Sequence, residues 1–157
     1  MKKVLLIMAA TCITMNCFAQ THPNTNTLKS KHMKLNAGIL TEKLAKTKKF
    51  YTEVLDFGVS FENEFYLLVH TPDHSAELSF LLPNHPTQQP FFHKPFNGEG
   101  MYLTIEVEDI DKLYEEIKKK DIKIQVEVRD EPWGDRHFAI QDPNGIGIDI
   151  VKYTKPK

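Results

Sequence analysis

The sequence has almost no cysteine, a single tryptophan and no hydrophobic run long enough to cross a membrane with ease. Its two cysteines, Cys12 and Cys17, both lie near the start, so the rest of the chain can form neither a disulfide nor a zinc-thiolate site. A membrane helix needs about 20 consecutive apolar residues. Basic residues do not exceed acidic ones, 20 against 21, so we expect no surface for nucleic acid.

The start of the chain has the pattern of a secretory signal peptide. Two lysines precede an apolar run over residues 4–15, and the small-residue segment 17–19 follows. We therefore expect residues 1–19 to be removed on export, which leaves 138 residues with a formal net charge of −3. The protein would then be periplasmic or secreted and not attached to the membrane. Translation from Met33 would instead leave it in the cytoplasm.

The remaining sequence indicates a tether, one domain and a short tail. Residues 20–33 are rich in Thr, Asn, Lys and His and predict a flexible tether. Residues 34–153 are enough for one domain with an ordinary hydrophobic core, and residues 154–157 form the tail. Within the domain, residues 83–99 contain four prolines, which favours a linker over a strand or helix.

The linker separates two modules with the same order of predicted elements. The first module, residues 34–82, predicts a strand, a helix capped by Thr41 and three strands, at 35–40, 44–55, 59–62, 64–71 and 76–82. The second module, residues 100–152, predicts the same order, at 101–107, 110–117, 122–128, 136–141 and 146–151. The expected fold class is α+β, with two βαβββ modules that pair into a cup-shaped mixed sheet. The helices cover one face of each sheet and leave the other free for a ligand.

Two segments resemble the vicinal-oxygen-chelate superfamily. Ala37–Phe57 is similar to the opening strand and helix of its members, and Glu131–Ile150 (EPWGDRHFAIQDPNGIGIDI) is similar to its C-terminal signature. Pro-Trp-Gly followed by an arginine resembles the bleomycin-resistance branch in particular. The segment Asp142–Gly145 is by itself a common hairpin turn. The resemblance implies the paired βαβββ fold and a homodimer with small-molecule sites at its interface.

The resemblance also bears on metal binding. Metal-using members take four ligands from equivalent strands of the two halves, and these positions fall on Ala37, Glu77, Tyr102 and Asp149. Alanine has no donor atom, and a neutral tyrosine is a poor ligand. We therefore expect no metal and no other cofactor, with a divalent ion held weakly by the two carboxylates as the alternative. His137 is the histidine in a predicted strand near the signature, and we interpret it as an ordinary half-exposed side chain.

The alternation of side chains along strands predicts a ligand-binding surface. It places Glu77, Tyr102, Glu106 and Asp149 on the cup side, where they would suit a cationic or polyhydroxylated ligand. Their carboxylates either contact this ligand or pair with nearby arginines. The expected ligand-binding residues, including two from the signature, are Trp133, Arg136, Tyr102, Glu106, Glu77 and Asp149.

Aromatic residues in loops leave further alternatives open. Trp133 either stacks on a planar ligand or fixes its loop to the core. Phe91, Phe92 and Phe96 of the linker either cover the mouth of the cup or pack on a second subunit.

Three classes of function follow from these patterns. The first is an exported, metal-independent protein that binds a small molecule and sequesters it, for example an antibiotic or a toxic metabolite. The second is a divergent lyase or isomerase, metal-dependent or using Glu77 or Asp149 as a general base, that acts on an α-hydroxycarbonyl compound. The third is a structural or interaction module whose cup is filled by Phe91, Phe92 or Trp133.

Overall fold

The structure is a computed structural model that describes residues 34–154. The predicted signal peptide, the predicted tether and the last three residues of the predicted tail lie outside this range. The first module consists of β1 (Ala37–Leu40), α1 (Leu44–Glu53), β2 (Gly58–Glu62), β3 (Tyr66–His70) and β4 (Glu77–Leu81). The second consists of β5 (Tyr102–Glu106), α2 (Ile110–Lys118), β6 (Ile124–Asp130), β7 (Asp135–Gln141) and β8 (Gly147–Tyr153).

Each module forms a four-stranded mixed sheet, in the orders β1-β4-β3-β2 and β5-β8-β7-β6. The first and last strands of a module pair in parallel, and the other neighbours are antiparallel. The predicted α+β fold of two βαβββ modules is therefore confirmed. No helix among the described residues is long and apolar enough to cross a membrane.

The helices bury the apolar stripes that the sequence predicts. Tyr51 on α1 and Ile117 on α2 are fully buried in one core, together with Phe80 and Phe138 from the two sheets. The ring of Tyr51 lies 5.1 Å from that of Phe80, a spacing at which aromatic pairs attract each other beyond the effect of burial alone. Both sheets thus have one covered face and one free face.

The first helix begins later than the sequence predicts. Thr41 is not its N-cap: α1 starts at Leu44, and Lys43 holds the cap position without a side-chain hydrogen bond. The Thr41 hydroxyl accepts the Lys43 N–H at 3.0 Å and donates to Asn144 Oδ1 at 2.6 Å. The threonine therefore connects the two modules instead of capping the helix.

The predicted hairpin turn Asp142–Gly145 is present and also joins the modules. Asp142 Oδ1 accepts the N–H of Asn144 at 2.8 Å, and Gly145 adopts a φ of 92°, which glycine tolerates without strain. Tyr51 Oη donates to Asp142 Oδ2 at 3.3 Å. Burial, and then the charge and hydrogen bond of Asp142, raise the pKa of Tyr51, so the phenol remains a donor. A turn of the second module thereby supplies buried polar contacts to the helix of the first.

The linker contains one short 3-10 helix, Pro90–Phe92, and is fixed near its end. The Phe96 N–H donates to Leu40 O at 2.9 Å. Beyond it, Gly98 has a φ of 83° and packs directly on the hairpin turn. A Cβ added to Gly145 would lie 3.1 Å from Gly98 Cα, so the two backbones approach closely where the linker crosses the turn.

Candidate functional site

The candidate site lies on the face of the second sheet that α2 leaves uncovered, which we call the free face. Ile148 and Ile150 are fully buried, so Asp149 between them points to the free face. Phe138 is buried as well, which places its neighbour His137 on the same side as Asp149. The predicted orientation of Asp149 is thereby confirmed.

Four charged side chains form a connected network on this face. His137 Nδ1 lies 2.8 Å from Asp149 Oδ1, and its Nε2 lies 3.1 Å from Glu131 Oε1. Arg129 Nε donates to the same Glu131 oxygen at 2.6 Å. The side chains of Glu131 and His137 are only 10% and 17% exposed, so these bonds are partly shielded from water. We call Arg129, Glu131, His137 and Asp149 the His137 network.

The network favours the charged forms of His137 and Glu131. Burial lowers the pKa of His137, but the hydrogen bonds and charges of Asp149 and Glu131 outweigh this effect and hold the pKa above its usual value. Burial likewise raises the pKa of Glu131, and the hydrogen bonds from His137 and Arg129 overcome it and lower the pKa. With the imidazole protonated, two positive groups balance two carboxylates. The second sheet therefore presents a balanced polar patch in place of the acidic surface that the sequence predicts.

Trp133 lies in the loop that continues from Glu131. The indole Nε1 donates to Asp135 Oδ2 at 2.8 Å, and the ring remains 61% exposed. The loop is closed by backbone bonds from Glu131 N to Asp135 O at 2.7 Å and from Gly134 N to Glu131 O at 3.0 Å. Trp133 is therefore held in orientation without being buried in the core, and it lies next to the network in the chain.

Tyr102 and Glu106 occupy the edge strand β5, beside Asp149. Leu103 and Ile105 pack against the core, so Tyr102 and Glu106 face the other way, as predicted. Tyr102 is 70% exposed and lies opposite Gly147, which has no side chain to cover it. The phenol ring is thus available to a ligand on the free face.

Glu77 belongs to the first sheet and is engaged there. Its carboxylate accepts from Lys34 Nζ at 2.8 Å and from Ser60 Oγ at 3.2 Å. The hydrogen bond from Lys34 is the main reason that the pKa of Glu77 is lowered. Within the described residues no hydrogen bond or ion pair connects Glu77 to the His137 network.

Two of the sequence-based placements are wrong. Ala37 pairs with Leu78 and packs against the core, so it lies on the opposite side of its sheet from Glu77. Neighbouring Gly38 points to the Glu77 side, because a Cβ added to it would meet Ser79 Oγ at 3.2 Å. The metal-ligand position that the resemblance assigns to β1 was therefore misplaced by one residue, which moves it to the other face of the strand.

Arg136 is the second misplaced residue. It precedes buried Phe138 by two positions and lies on the helix-covered side of the sheet. Its guanidinium contacts Asp111 of α2 at 2.6 Å and Asp130 at 3.1 Å. These two carboxylates raise the pKa of Arg136 and occupy its donors, so Arg136 does not belong to the free face.

The residues present do not fit a transition-metal site of the kind that the resemblance raises. Gly38, which points to the Glu77 side in place of Ala37, has no donor atom, Tyr102 offers only a phenol, and the carboxylates of Glu77 and Asp149 are each held by a basic partner. In the part of the chain from 34 to 154, no three His, Cys, Asp or Glu side chains converge as metal ligands would.

The linker phenylalanines do not fill the free face. Phe91 is 87% exposed and contacts Phe92 edge-on at 5.0 Å, whereas Phe96 packs against the core. Trp133 is exposed as well. The arrangement in which these aromatic residues obliterate the cup is therefore not observed within the described chain.

The fold of this chain, two βαβββ modules whose sheets each have one free face, defines the class of protein to which it belongs. The chain belongs to the Glyoxalase/Bleomycin resistance protein/Dioxygenase superfamily, whose family model matches residues 31–150. None of the curated proteins matches the sequence.

Solved structures share this fold at low sequence identity. A glyoxalase/bleomycin resistance protein/dioxygenase from Nocardioides superposes with a TM-score of 0.65 at 18% identity, over 80% of this chain and 87% of that one. TnmS3, an antibiotic binding protein from Streptomyces sp. CB03234, gives 0.61 at 20% identity, over 78% and 100%. Lactoylglutathione lyase from Agrobacterium tumefaciens gives 0.62 at 12% identity, over 76% and 92%. At these identities the structural similarity shows that the proteins share a fold.

Proposed function

We propose that this protein binds and sequesters a planar small molecule bearing hydroxyl or carbonyl groups, without a metal, on the free face of the second sheet. The observation that carries the proposal is the exposed, oriented indole of Trp133 in the loop that follows Glu131 of the partly shielded His137 network. The indole and the phenol of Tyr102 supply surfaces for stacking. The network supplies hydrogen-bond donors and acceptors that would fix the orientation of the ligand.

The charges of the site select among ligands. Arg129 and His137 offset Glu131 and Asp149, and Lys34 offsets Glu77. Glu106 makes no ion pair among the described residues. A hydrogen-bonding ligand with little net charge therefore suits the face better than a multiply charged cation. An antibiotic is the favoured class, because one protein of the same fold is an antibiotic binding protein.

We also propose an oligomeric state and a cellular location for this protein. We propose a homodimer, because the first sheet also exposes an aromatic residue on its free face, Phe61 at 52%, and exposed apolar surface of this kind marks contact sites. We propose that the protein acts after export, in the periplasm or outside the cell, where it would intercept a toxic compound early. Sedimentation at several concentrations and fractionation of producing cells test these two parts separately.

Titration calorimetry tests the binding proposal with two antibiotics. Doxorubicin carries hydroxyl and carbonyl groups on a planar ring system and has a single amine, whereas kanamycin is polyhydroxylated, is not planar and has several amines. We expect doxorubicin to bind in the micromolar range or tighter, roughly −8 kcal/mol, and kanamycin not to bind. Trp133→Ala should weaken doxorubicin about tenfold, which corresponds to a loss of roughly 1.4 kcal/mol of stacking.

Phe91→Ala is the matched control, because it removes an exposed aromatic ring of the linker that makes no contact with the His137 network among the described residues. It should leave the affinity for doxorubicin unchanged. Equal loss in both variants, or binding of kanamycin as tight as that of doxorubicin, would contradict the proposed site.

A second candidate is a lyase or isomerase that acts on an α-hydroxycarbonyl compound. The chain of Glu131, His137 and Asp149 favours it, because a carboxylate-imidazole pair can accept and return a proton. Asp149 would be the general base on the second sheet, and Glu77 its counterpart on the first. Turnover of an α-hydroxycarbonyl panel, lost in Asp149→Asn or Glu77→Gln, would support catalysis. Inactivity with and without added Ni²⁺, Zn²⁺, Mn²⁺ or Fe²⁺ would count against it.

A further inference from the structure

We propose that the groove between the two modules binds an extended basic peptide, which adds a strand to the open edge of β5. The groove has a volume of about 1190 Å³ and runs from the β3–β4 turn to the end of β5 and the side of α2. This volume exceeds the roughly 300–1,000 Å³ of ordinary small-molecule pockets. The inference is independent of the proposed function, since it concerns a different ligand and mainly the edge of the sheet.

The floor of the groove consists of aliphatic side chains at the margin of the hydrophobic core that remain partly exposed. Several lining residues are aliphatic, only partly buried and packed against the core cluster, namely Leu78, Leu103, Ile105, Val107 and Leu113. Covering such side chains is favourable by about 25 cal/mol per Å² of apolar surface removed from water. An occupant with apolar side chains on one face would complete the core at this margin.

The backbone of β5 offers hydrogen bonds along the same groove. Val107 N–H donates to Val151 O on β8 at 2.9 Å. Because successive residues of a strand direct their N–H and C=O groups to alternate sides, Thr104 and Glu106 direct theirs away from β8. All of residues 103–108 line the groove, so it follows the strand edge-on. β5 is the edge strand of its sheet and pairs with β8 alone among the described residues, so no strand lies along the side to which Thr104 and Glu106 direct these groups.

The charge of the rim indicates a basic occupant. Acidic side chains line both walls, namely Asp56, Asp73, Glu106, Glu108 and Glu116. Among the lining residues that the structure describes, Lys152 is the single basic one. A strand that alternates apolar and basic residues would place apolar side chains on the floor and cations at the rim, which is the usual mode of strand addition to a sheet edge.

The same charges argue against a second copy of the chain in this position. Antiparallel pairing of two β5 edges about Val107 would place Glu106 of each copy opposite Glu108 of the other. Like charges opposite each other destabilise strand pairing. The open edge is therefore better suited to a partner of opposite charge than to self-association.

A labelled peptide that alternates lysine and valine tests the inference by fluorescence anisotropy on the full chain. We expect it to bind, and an equivalent peptide of glutamate and valine not to bind. Two N-methylated forms of the first peptide, methylated at odd or at even positions, sharpen the test. Strand addition uses every second peptide N–H, so one form should lose binding and the other should retain it.

Charge-reversal variants locate the peptide in the groove. Glu116→Lys should weaken binding about fivefold, corresponding to roughly 1 kcal/mol for a partly exposed ion pair. The matched control is Glu115→Lys, which makes the same change on the preceding residue of α2, outside the groove, and should leave binding unchanged. Hydrogen exchange of the Thr104 and Glu106 amides should slow when the peptide is bound.

The outcomes separate this inference from its alternatives. Equal loss in both lysine variants would indicate non-specific attraction to an acidic protein and would overturn the site. Equal binding of both N-methylated peptides, or unchanged exchange at Thr104 and Glu106, would overturn strand addition. Concentration-dependent self-association that protects these two amides without peptide would assign the edge to a second copy and would equally refute a basic peptide as its occupant.

Discussion

Asn144 Nδ2 donates a hydrogen bond to Thr47 Oγ1 at 3.1 Å across 97 positions of the chain. Both side chains are buried, at 9% and 0% exposure. The asparagine belongs to the last hairpin turn and the threonine to the first helix, so this bond joins the end of one module to the start of the other. The two modules, including the sheet that carries the candidate site, are therefore joined by polar contacts as well as by the shared core.

Replacing this asparagine is expected to destabilise the fold. Asn144→Ala leaves the buried Thr47 hydroxyl and one Asp142 oxygen without the amide that binds them, which costs about 1–3 kcal/mol. Urea unfolding monitored by circular dichroism measures this loss. The control is Asn97→Ala, at an exposed position of the linker, where a change within about 0.5 kcal/mol is expected. Equal losses in the two variants would refute the role of the turn.

The titration of His137 is expected to report the integrity of its network. Since the pKa of His137 is held above its ordinary value of about 6.5, its imidazole C–H resonances should titrate with a midpoint above that value. Asp149→Asn should lower the midpoint, because it replaces a charged partner at 2.8 Å with a neutral one. An unchanged midpoint in this variant would show that the contact does not form in solution.

The same shift determines a pH dependence of stability. A raised folded-state pKa stabilises the protein fully below the unfolded-state value of about 6.5, and this contribution is lost as the pH rises through the folded-state pKa. The free energy of unfolding of the wild type should therefore fall more steeply over this window than that of His137→Gln. Urea unfolding on either side of the window makes the comparison, and parallel curves for the two proteins would contradict it.

Two arginines on adjacent strands provide a matched test of the ligand face. Arg129 pairs in register with His137 on the free face, whereas Arg136 pairs with Asp130 and reaches Asp111 on the covered side. Arg129→Gln should weaken doxorubicin about threefold to tenfold, through a perturbed hydrogen-bond network worth roughly 1 kcal/mol. Arg136→Gln should leave the affinity within about twofold. Calorimetry distinguishes this order from the reverse, which would place the ligand on the helix-covered side.

The single tryptophan makes ligand binding visible without a label. Trp133 is 61% exposed, so acrylamide should quench its fluorescence efficiently in the free protein. Kanamycin, which should not bind, is the control and should leave quenching unchanged. A bound planar ligand that stacks on the indole should reduce access of the quencher about twofold or more, in proportion to the ring area it covers. Unchanged access at saturating doxorubicin would mean that the ligand binds elsewhere.

The sequence predicts the order of elements well because each module has strong local patterns. The buried stripe with Tyr51, the second stripe with Ile117 and the glycine of the last turn all follow from spacing and backbone preference. The start of α1 is less well determined. The Thr41 hydroxyl donates its hydrogen bond to Asn144 in the other module, which no local pattern indicates.

The candidate site was predicted only in part, for two physical reasons. A strand alternates sides at every residue, so an error of one position moved Ala37 to the wrong face. The His137 network depends on pairing between three strands, which brings Arg129, Glu131 and Asp149 around one imidazole. A local clue was present, because buried Phe138 beside His137 indicates that the histidine faces outward with Asp149.

The close approach of Gly98 and Gly145 has a consequence for how this chain can diversify. Together with the bond from Phe96 to Leu40, it fixes the end of the linker, while the preceding segment with Phe91 remains exposed. Lengthening a surface loop whose ends are held costs little free energy, roughly 0.6 kcal/mol for each doubling. Insertions between Pro83 and Pro95 should therefore be tolerated during evolution, and this segment is where new specificity can arise without disturbing either half of the fold.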